Sequence, residues 1–293
     1  MNIQPISSSE LIITERGTIY HIDLAPEQLA DTVITVGDPG RVAAVSKYFD
    51  RIEHRATHRE FISHTGYVGK KRLTVLSTGI GPDNIDIVFN ELDALVNIDI
   101  KTRTIKEQKK SLSIIRLGTC GSLQAAIPVD SMIVSSFGIG LDNLMHYYKH
   151  DNNTDETFIL NDFQKHTGLT GKNIWPYIAE GSIRLRNHFV KGYTQGITVT
   201  CPGFYGPQGR ILRAPLGFPN LIDALSTFQS RNHNIANFEM ETSAMYGLAK
   251  VLGHHSLSIS TVVANRVQKT FSKDGNAAID NMIRQSLAII EKI

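Results

Sequence analysis

Two glycine-containing junctions of this 293-residue sequence carry an arginine where an anion could be held. The segment "VGDPGR", which ends at Arg41, follows a predicted strand and precedes the helical pattern "VAAVSKYF". Backbone N–H groups and a helix N-terminus at such a junction favour an anion. The segment "RLGTCGS" repeats the arrangement, with Arg116 near the end of a predicted buried strand and Thr119 in the glycine turn that follows. Together with Arg59 of "THREF", these residues predict a site for a dianion such as phosphate.

Each of these features also has a purely structural explanation. Arg41 and Arg59 would then be surface arginines at turns. Arg116 would belong to an ion pair, because an unpaired charge inside a protein is very costly. The sequence holds no GxxxxGK[ST] motif, so a P-loop nucleotide site is not expected. "STGIG" resembles half of a dinucleotide fingerprint, but Asn84 stands where GxGxxG requires its last glycine.

A stiff, irregular loop is predicted at residues 201–210, "CPGFYGPQGR". Its three glycines and two prolines exclude a regular helix or a central strand. Such a loop would hold the ring of Phe204 beside the polar ends of Gln208 and Arg210. We therefore expect it to bind a flat ligand that has a polar edge.

An acidic pair lies near the start of the predicted helix in "NFEMETSAMYGLAK". Glu239 and Glu241 flank Met240, and carboxylates at this position favour the positive end of the helix dipole. The alternative is that one carboxylate accepts hydrogen bonds from a diol, as an acidic residue does for ribose hydroxyls in dinucleotide folds. Met240 would then pack on the sugar instead of filling the core.

The elements that must position these segments alternate along the chain. Short, β-branched and mostly apolar runs, typical of buried strands in an α/β sheet, lie at 32–37, 72–79, 112–119, 131–136, 196–200 and 257–265. Helical patterns lie at 83–97, 178–191, 238–253 and 277–292. Asp83 and Asn84 are candidates for the N-cap of the first of these helices. The pattern predicts a single α/β domain.

The composition excludes several other classes of protein. The net charge of +2 is spread along the chain, so neither a nucleic-acid nor a membrane partner is expected. The N-terminus lacks the apolar core of a signal peptide, and no run approaches the roughly 20 apolar residues of a membrane span. Cys120 and Cys201 lie far apart, so neither a disulfide nor a metal site is expected there. These features predict a soluble cytoplasmic protein in which the basic run 101–111 is a solvated loop or helix end.

In this order, the motifs resemble those of the nucleoside phosphorylase-I superfamily, and within it those of uridine phosphorylases. The similarity runs from Tyr20 to the C-terminus, and it is the full set that is specific. The motifs are "YHIDL" (20–24), "GDPGR" (37–41), "HREF" (58–61), "STGIG" (77–81), "RLGTCG" (116–121), "FYGPQGR" (204–210), "NFEMET" (237–242) and "VVANR" (262–266).

The resemblance implies one α/β domain over residues 1–293. Its expected form is a three-layer α/β/α arrangement with a central mixed, partly barrel-like β-sheet flanked by helices. Residues 1–19 would be an N-terminal extension, and residues 101–111 a surface insertion.

Site residues follow from the resemblance position by position. The phosphate-binding positions are matched by Gly37, Arg41, Arg116 and Thr119, and by Arg59 lent from the neighbouring subunit. The ribose-binding positions are matched by Met240 and Glu241, and by His21, also lent from the neighbouring subunit. The base-binding positions are matched by Phe204, Gln208, Arg210, Val263, Ala264 and Arg266. The expected catalytic residues are Arg210, Gln208 and Arg116.

The activity that the resemblance implies is phosphorolysis of uridine to uracil and α-ribose 1-phosphate, with deoxyuridine and thymidine left open as substrates. Arg210 would stabilise negative charge on the departing uracil. Gln208 would offer one acceptor and two donors to the ring imide. Phosphate is then a co-substrate, and neither an organic cofactor nor a metal is expected.

Three alternatives stay open: a purine nucleoside phosphorylase, a nucleoside hydrolase, and a catalytically silent nucleoside-binding or storage relative. Purine phosphorylases of bacteria place an Asp after the late strand, whereas "VVANRVQ" has Asn265, which favours a pyrimidine. A hydrolase would have little use for three arginines suited to phosphate. A silent relative would have lost a site residue, and each principal position is filled.

Two departures bear on the assembly. Hexameric relatives hold potassium with a glutamate that Glu60 matches and a serine that Asn84 replaces, so a potassium site is doubtful. The spacing of "GPQGR" leaves a dimer and a hexamer open. The lent His21 and Arg59 predict a homo-oligomer built from dimers that share active sites.

Overall fold

The computed structural model of the chain describes residues 4–293. The first three residues of the predicted 1–19 extension therefore lie outside the described part. The described strands are β1 Thr32–Val36, β2 Arg51–His58, β3 Phe61–Val68, β4 Lys71–Ser77, β5 Ile98–Asp99, β6 Thr104–Ile105, β7 Ser113–Ser122, β8 Met132–Gly140, β9 Tyr177–Glu180, β10 Thr194–Thr200, β11 Gln229–Ser230, β12 His233–Glu239, β13 His255–Asn265 and β14 Thr270–Phe271. The described α-helices are α1 Pro39–Ser46, α2 Pro82–Asn97, α3 Thr154–Thr167, α4 Ile183–Arg186, α5 Leu221–Ser226, α6 Thr242–Leu252 and α7 Gly275–Ile290.

One mixed sheet contains twelve of these strands and closes partly into a barrel. Its order is β11-β12-β10-β8-β13-β7-β1-β4-β3-β2, with β9 added to β8 and β14 to β13. Strand β7 also pairs with β12 in antiparallel fashion, Asn237 facing Ser122 and Phe238 facing Gly121. That pairing closes a ring of five strands, β12, β10, β8, β13 and β7. The predicted mixed, partly barrel-like sheet is therefore confirmed.

Helices cover both sides of the sheet and complete the three layers. In α2, the buried residues Ile85, Val88, Phe89 and Leu92 follow the i, i+3, i+4, i+7 spacing of an apolar helix face. This face packs with α6 in one apolar cluster, while α1 and α7 contribute to a second cluster, which also contains apolar residues of β1, β7 and β13. Helix α3 and the short α5 pack into a third cluster beside β10 and β12. No helix in the described part of the chain has the length and apolar character needed to cross a membrane.

The predicted helix over 178–191 is wrong. Residues Tyr177–Glu180 form β9, which pairs with β8, and only Ile183–Arg186 are helical. A Cβ added at Gly181 would lie 2.7 Å from the ring of Tyr246, so the chain turns where only glycine fits. Pairing with β8 overrides the local helical pattern.

Helix starts were also misplaced by the sequence pattern. Helix α2 begins at Pro82 with Gly81 as N-cap at φ +103°, so neither Asp83 nor Asn84 caps it. Proline is favoured at the first helical position because its fixed φ suits the helix. Helix α6 begins at Thr242, and the first two residues of the predicted 238–253 helix belong to β12.

Thr119 does not lie in a turn. Strand β7 continues to Ser122 and stays paired with β13 as far as Asn265. The glycine of "RLG" serves the strand instead: a Cβ at Gly118 would lie 1.7 Å from Nη1 of Arg116. The arginine side chain therefore lies across the place where any other residue at position 118 would project.

The basic segment 101–111 contains the turn and the second strand of a small hairpin formed by β5 and β6. The guanidinium of Arg103 donates to the carbonyl oxygens of Ile6 and Ser7, at 2.8 and 3.0 Å. Lys110 forms an ion pair with Asp31 at 2.5 Å. Part of this run therefore ties the N-terminal segment to the domain.

Candidate functional site

A cavity of about 710 Å³ lies where several strands of the sheet end. Gly37 follows β1, Gly79 follows β4, Thr119 lies near the end of β7 and Val263 near the end of β13. In open α/β sheets, ligands bind at the carboxyl ends of the strands. A cavity of this volume suits a small-molecule ligand.

Most of the sequence-predicted site residues line this cavity. They are Gly37, Arg41, Arg116, Thr119, Phe204, Gln208, Arg210, Met240, Glu241, Val263 and Ala264. Glu60 lines it as well. Arg266 stands behind the wall, whereas His21 and Arg59 of the same chain are not among the lining residues.

Arg116 is buried at the inner wall and is paired, as a buried arginine must be. Its Nη2 donates to Glu241 and lies 3.4 Å from Oε2 of Glu239, and its Nη1 donates to the Ser260 hydroxyl at 3.3 Å. Burial alone would lower the pKa of Arg116, but the two carboxylates outweigh it and raise that pKa. A guanidinium has five N–H donors, so donors remain for a ligand.

A second cation, Arg41, lies beside Arg116 at the start of α1. Asp38 caps this helix by accepting a 2.9 Å hydrogen bond from the N–H of Gly40. Arg41 donates to the carbonyl oxygen of Leu117 at 3.3 Å. Burial lowers the pKa of Arg41, and the nearby charge of Arg116 lowers it further. Two neighbouring cations next to a helix N-terminus form a wall that suits a dianion.

The two glutamates have different surroundings, which separates the explanations left open by the sequence. Glu239 accepts hydrogen bonds from the N–H groups of Glu241 and Thr242, both at 3.0 Å, and from the Thr200 hydroxyl at 2.8 Å. It therefore satisfies the start of α6. Glu241 instead bonds Arg116 and accepts from the N–H of Gly81 at 2.9 Å. Burial raises the pKa of Glu241, partly offset by Arg116.

The loop at 201–210 is irregular, as predicted, and its polar side chains are bonded to one another. Nη1 of Arg210 donates to the carbonyl oxygen of Phe204 at 2.6 Å and to Oε1 of Gln208 at 2.5 Å. The guanidinium carbon of Arg210 lies 3.7 Å from the centroid of the Phe204 ring. Because Oε1 of Gln208 is taken by Arg210, its amide presents N–H donors to a ligand. Arg266 fixes the loop from behind by donating to the carbonyl oxygen of Gln208 at 3.0 Å.

The remaining wall is apolar. Val263 and Ala264 of β13, Phe238 of β12 and Phe271 of β14 line it. Asn265 next to them is turned away and fully engaged: Nδ2 donates to two carbonyl oxygens at 2.9 Å, and Oδ1 accepts from two N–H groups at 3.0 and 2.8 Å. It therefore contributes no acidic or polar group to the cavity.

His21 and Arg59 lie on a separate surface. Glu91 accepts from Nδ1 of His21 at 2.6 Å and from the N–H groups of His21 and Ile22 at 3.0 and 2.9 Å. This orients the imidazole. Arg59 is exposed in the turn between β2 and β3, at φ +54°, and lies over the ring of Tyr20.

The sequence patterns did not single out Glu91, Ser260 or Phe271. Glu91 lies within a regular helix, Ser260 within a buried strand and Phe271 in a two-residue strand. No local signal distinguishes such residues from structural ones. Only the long-range packing brings them to the site or to the His21 surface.

The carboxylate, histidine and cysteine side chains of the described residues bear on whether the chain could hold a metal ion. Across residues 4–293, no three His, Cys, Asp or Glu side chains are grouped so that they could hold an ion. Glu60 accepts a 3.3 Å hydrogen bond from Nδ2 of Asn84, the residue that replaces the serine of the hexameric relatives. No step below involves a potassium ion.

Comparison with known proteins agrees with this arrangement. The family model described as "Phosphorylase superfamily" matches residues 31–291. A uridine phosphorylase of Thermococcus kodakarensis is 30% identical over 276 residues, which cover 93% of this chain and 87% of that protein. A DeoD-type purine nucleoside phosphorylase of Buchnera aphidicola is 23% identical over 91% of this chain and 97% of its own length.

A solved structure extends the likeness to three dimensions. It is that of a Trypanosoma brucei nucleoside phosphorylase, described as showing uridine phosphorylase activity. It superposes with a TM-score of 0.89 at 31% identity and covers 97% of this chain and 100% of its own.

Proposed function

Because this chain belongs to the phosphorylase superfamily, we propose that it is a uridine phosphorylase, which converts uridine and inorganic phosphate to uracil and α-ribose 1-phosphate. One observation carries the proposal: a single cavity joins two neighbouring arginines, a buried carboxylate, and the donors of Gln208 and Arg210, of which Arg210 stacks on the ring of Phe204. These match the three parts of the reaction, namely phosphate, sugar and base.

The reaction exchanges one bond at the sugar for another. A phosphate oxygen attacks C1′ while the bond between C1′ and N1 of uracil breaks, and the electron pair of that bond leaves with the base. Arg41 and Arg116, with Thr119 and the N–H groups near Gly37, hold the phosphate. Placing the nucleophile next to C1′ removes much of the entropic barrier of a bimolecular step.

The base is held by donors because the leaving uracil carries negative charge on its carbonyl oxygens. The Gln208 amide N–H and the Arg210 guanidinium supply these donors, and the ring of Phe204 offers a face to the base. A donor already in place where charge develops stabilises the transition state more than the ground state. Val263, Ala264 and Arg266 complete this end of the site.

The sugar is held between these two ends. Glu241 accepts hydrogen bonds from the ribose hydroxyls, and Met240 packs on the sugar. His21 and Arg59 belong to the site of a second copy of the chain, which supports a homo-oligomer built from dimers. The orientation of His21 by Glu91 favours this role, because it keeps Nε2 available for a hydroxyl.

A purine nucleoside phosphorylase is the nearest alternative, since the chain also resembles one at 23% identity. The base end of the cavity has N–H donors on one side and apolar residues on the other. Asn265, the nearest polar residue of β13, is engaged elsewhere. This composition favours a base with two carbonyl oxygens.

The proposed reaction needs phosphate as co-substrate and uses no organic cofactor. The two free, buried cysteines suit the cytoplasm.

The test is release of free base from uridine, thymidine, inosine and adenosine, each with and without phosphate. We expect uracil release from uridine that depends on phosphate and yields ribose 1-phosphate. Cleavage of inosine in preference to uridine would favour the purine enzyme. Release without phosphate would indicate a hydrolase, and no release from any nucleoside a silent relative.

A further inference from the structure

We propose that Glu241 takes up a proton when a dianion binds to Arg116, so that phosphate and proton enter the site together. This inference rests on the proposed function, because it assumes that the phosphate subsite is the wall formed by Arg41 and Arg116. It assigns to Glu241 a role in phosphate binding beyond its contact with the sugar.

The geometry links Glu241 to the anion site through one guanidinium. Nη2 of Arg116 donates to Glu241, while Arg116 also lines the cavity beside Arg41. The side chains of Arg116 and Glu241 are only 6% and 4% exposed, so water screens their interaction little. A dianion held by the remaining donors of Arg116 therefore lies within one guanidinium's breadth of the Glu241 carboxylate.

The charges around Glu241 balance before the anion arrives and not afterwards. Arg116 from β7 and Arg41 from α1 carry two positive charges, and Glu239 from β12 and Glu241 carry two negative charges. The loop before α2 adds only the N–H of Gly81. A bound dianion raises the number of negative charges from two to four. Arg41 and Arg116, with Arg59 lent by the second copy, supply only three positive charges, so the site keeps an excess of negative charge. Like charges at this range disfavour each other's ionised forms. Burial already disfavours the ionised form of Glu241 and raises its pKa.

The other titratable groups of the cavity are poorer candidates. Glu239 accepts three hydrogen bonds, from the N–H groups of Glu241 and Thr242 and from the Thr200 hydroxyl, so its oxygens are already occupied by donors outside the anion site. Asp38 and Glu60 line the outer part, each with a hydrogen-bond donor of its own. Burial raises the pKa of Cys120 to about 12, so it is already protonated. No histidine lines the cavity in the part of the chain that the structure describes.

Proton uptake on binding has a definite sign. The affinity for the dianion falls as pH rises through the range in which free Glu241 is ionised and bound Glu241 is protonated. With one proton, the fall is up to about tenfold per pH unit. A protonated Glu241 also offers the sugar an O–H donor in addition to acceptors, whereas a carboxylate offers acceptors only.

Sulfate is the sharpest probe, because it is a dianion that does not itself titrate near neutral pH. Titration calorimetry of the full-length protein with sulfate, in two buffers of different ionisation enthalpy, measures the protons exchanged. We expect an uptake that approaches about one proton per sulfate over the pH range in which free Glu241 is ionised and bound Glu241 is protonated. We expect inorganic phosphate to compete with sulfate for the same site.

The variant E241Q should bind sulfate with no proton exchange and with an affinity that does not change over the same pH range. The matched variant E239Q should keep the exchange. A proton exchange that survives in E241Q and vanishes in E239Q would assign the proton to Glu239 instead of Glu241 and overturn the proposal. So would wild-type protein that binds sulfate without any exchange, a result that needs no variant to fold.

These outcomes are separable from failure of the proposed function. Sulfate and phosphate binding without proton uptake, together with phosphate-dependent uracil release, would overturn this inference and leave the enzyme assignment intact. Absence of both sulfate and phosphate binding would remove the anion site, and with it this inference and the phosphorolysis proposal alike.

Discussion

Replacing Arg210 by alanine should separate the turnover of uridine from the binding of phosphate. Arg210 contacts Phe204 and Gln208 within the base loop, whereas the proposed phosphate residues are Arg41 and Arg116. In the described structure Arg210 shares no hydrogen-bond acceptor with either of those arginines. The variant should therefore damage one end of the site and spare the other.

The contacts of Arg210 set the expected size of the effect. Its Nη1 makes two hydrogen bonds, at 2.6 and 2.5 Å, and its guanidinium stacks on Phe204 at 3.7 Å. Hydrogen bonds involving a charged group contribute about 1.5–3 kcal/mol, and an exposed cation–π contact about 0.5–1 kcal/mol. Loss of a donor to a developing negative charge costs about 10²–10³ in rate. Since alanine removes both the order of the loop and this donor, kcat/KM for uridine should fall by about 10³-fold or more.

Two measurements decide the outcome. Uracil release gives kcat/KM, and titration calorimetry gives the Kd of phosphate, which should change by less than about threefold. R210K keeps the charge but not the planar fork, so it should recover only part of the loss. Arg213, which is exposed and lies three residues after Arg210, gives the control R213A, which should behave as wild type. If R210A weakened phosphate binding as much as uridine turnover, the assignment of Arg210 to the base end of the site would be wrong.

Three further outcomes are expected. R116M leaves Glu239 and Glu241 buried without their cation and should destabilise the fold by about 3–5 kcal/mol in chemical denaturation, with part of the loss recovered in R116M/E241Q. G118A places a Cβ 1.7 Å from Nη1 of Arg116 and should weaken phosphate binding in calorimetry by tenfold or more. Burial raises the pKa of Cys120 to about 12, so its alkylation, followed by mass spectrometry, should be slow at neutral pH and accelerate as pH rises toward that value.

Each of these has a result that would contradict it. A double variant no more stable than R116M would mean that Glu241 is not the carboxylate left unpaired. For G118A the control is G171A, where an added Cβ meets nothing within 4 Å, and equal phosphate affinities in both would show that Arg116 does not lie over Gly118. Alkylation of Cys120 at neutral pH as fast as that of a small free thiol would contradict its burial.

The buried strands were predictable because strands buried on both faces consist of short runs of apolar and β-branched residues. β1 and β8 are buried along their whole length, so apolar and β-branched residues occur without alternation. β2 and β3 were not predicted. Exposed residues alternate with less exposed ones along β2, "RIEHRATH", in which charged residues mask the strand. In β3, buried residues are interrupted by half-buried ones and form no continuous apolar run. β12 was missed for a different reason. Its last residues, Phe238 and Glu239, continue the helical pattern of α6 and were therefore assigned to that helix.

Closure of the barrel could not be predicted from local sequence. It depends on β12 meeting the end of β7, a contact between residues more than a hundred positions apart. The same closure determines the different contacts of Glu239 and Glu241. On sequence alone, Glu239 and Glu241 were equivalent, because both precede α6. The fold places Glu239 over the N–H groups of α6 and Glu241 against Arg116, and the different charges around them follow from that placement.

At Gly118, the predicted anion-binding residues were joined to a wrong local structure. Glycine after arginine suggested a phosphate-binding turn, yet the chain stays extended. In a strand, residues i and i+2 point to the same face, so the side chain of Arg116 must pass over position 118. Glycine there lets the guanidinium lie along the strand and reach Glu241 and the cavity, whereas any Cβ would collide with it. The glycine is therefore required by the position of the arginine, and the Arg116 side of the proposed anion site is built on a strand rather than on a loop.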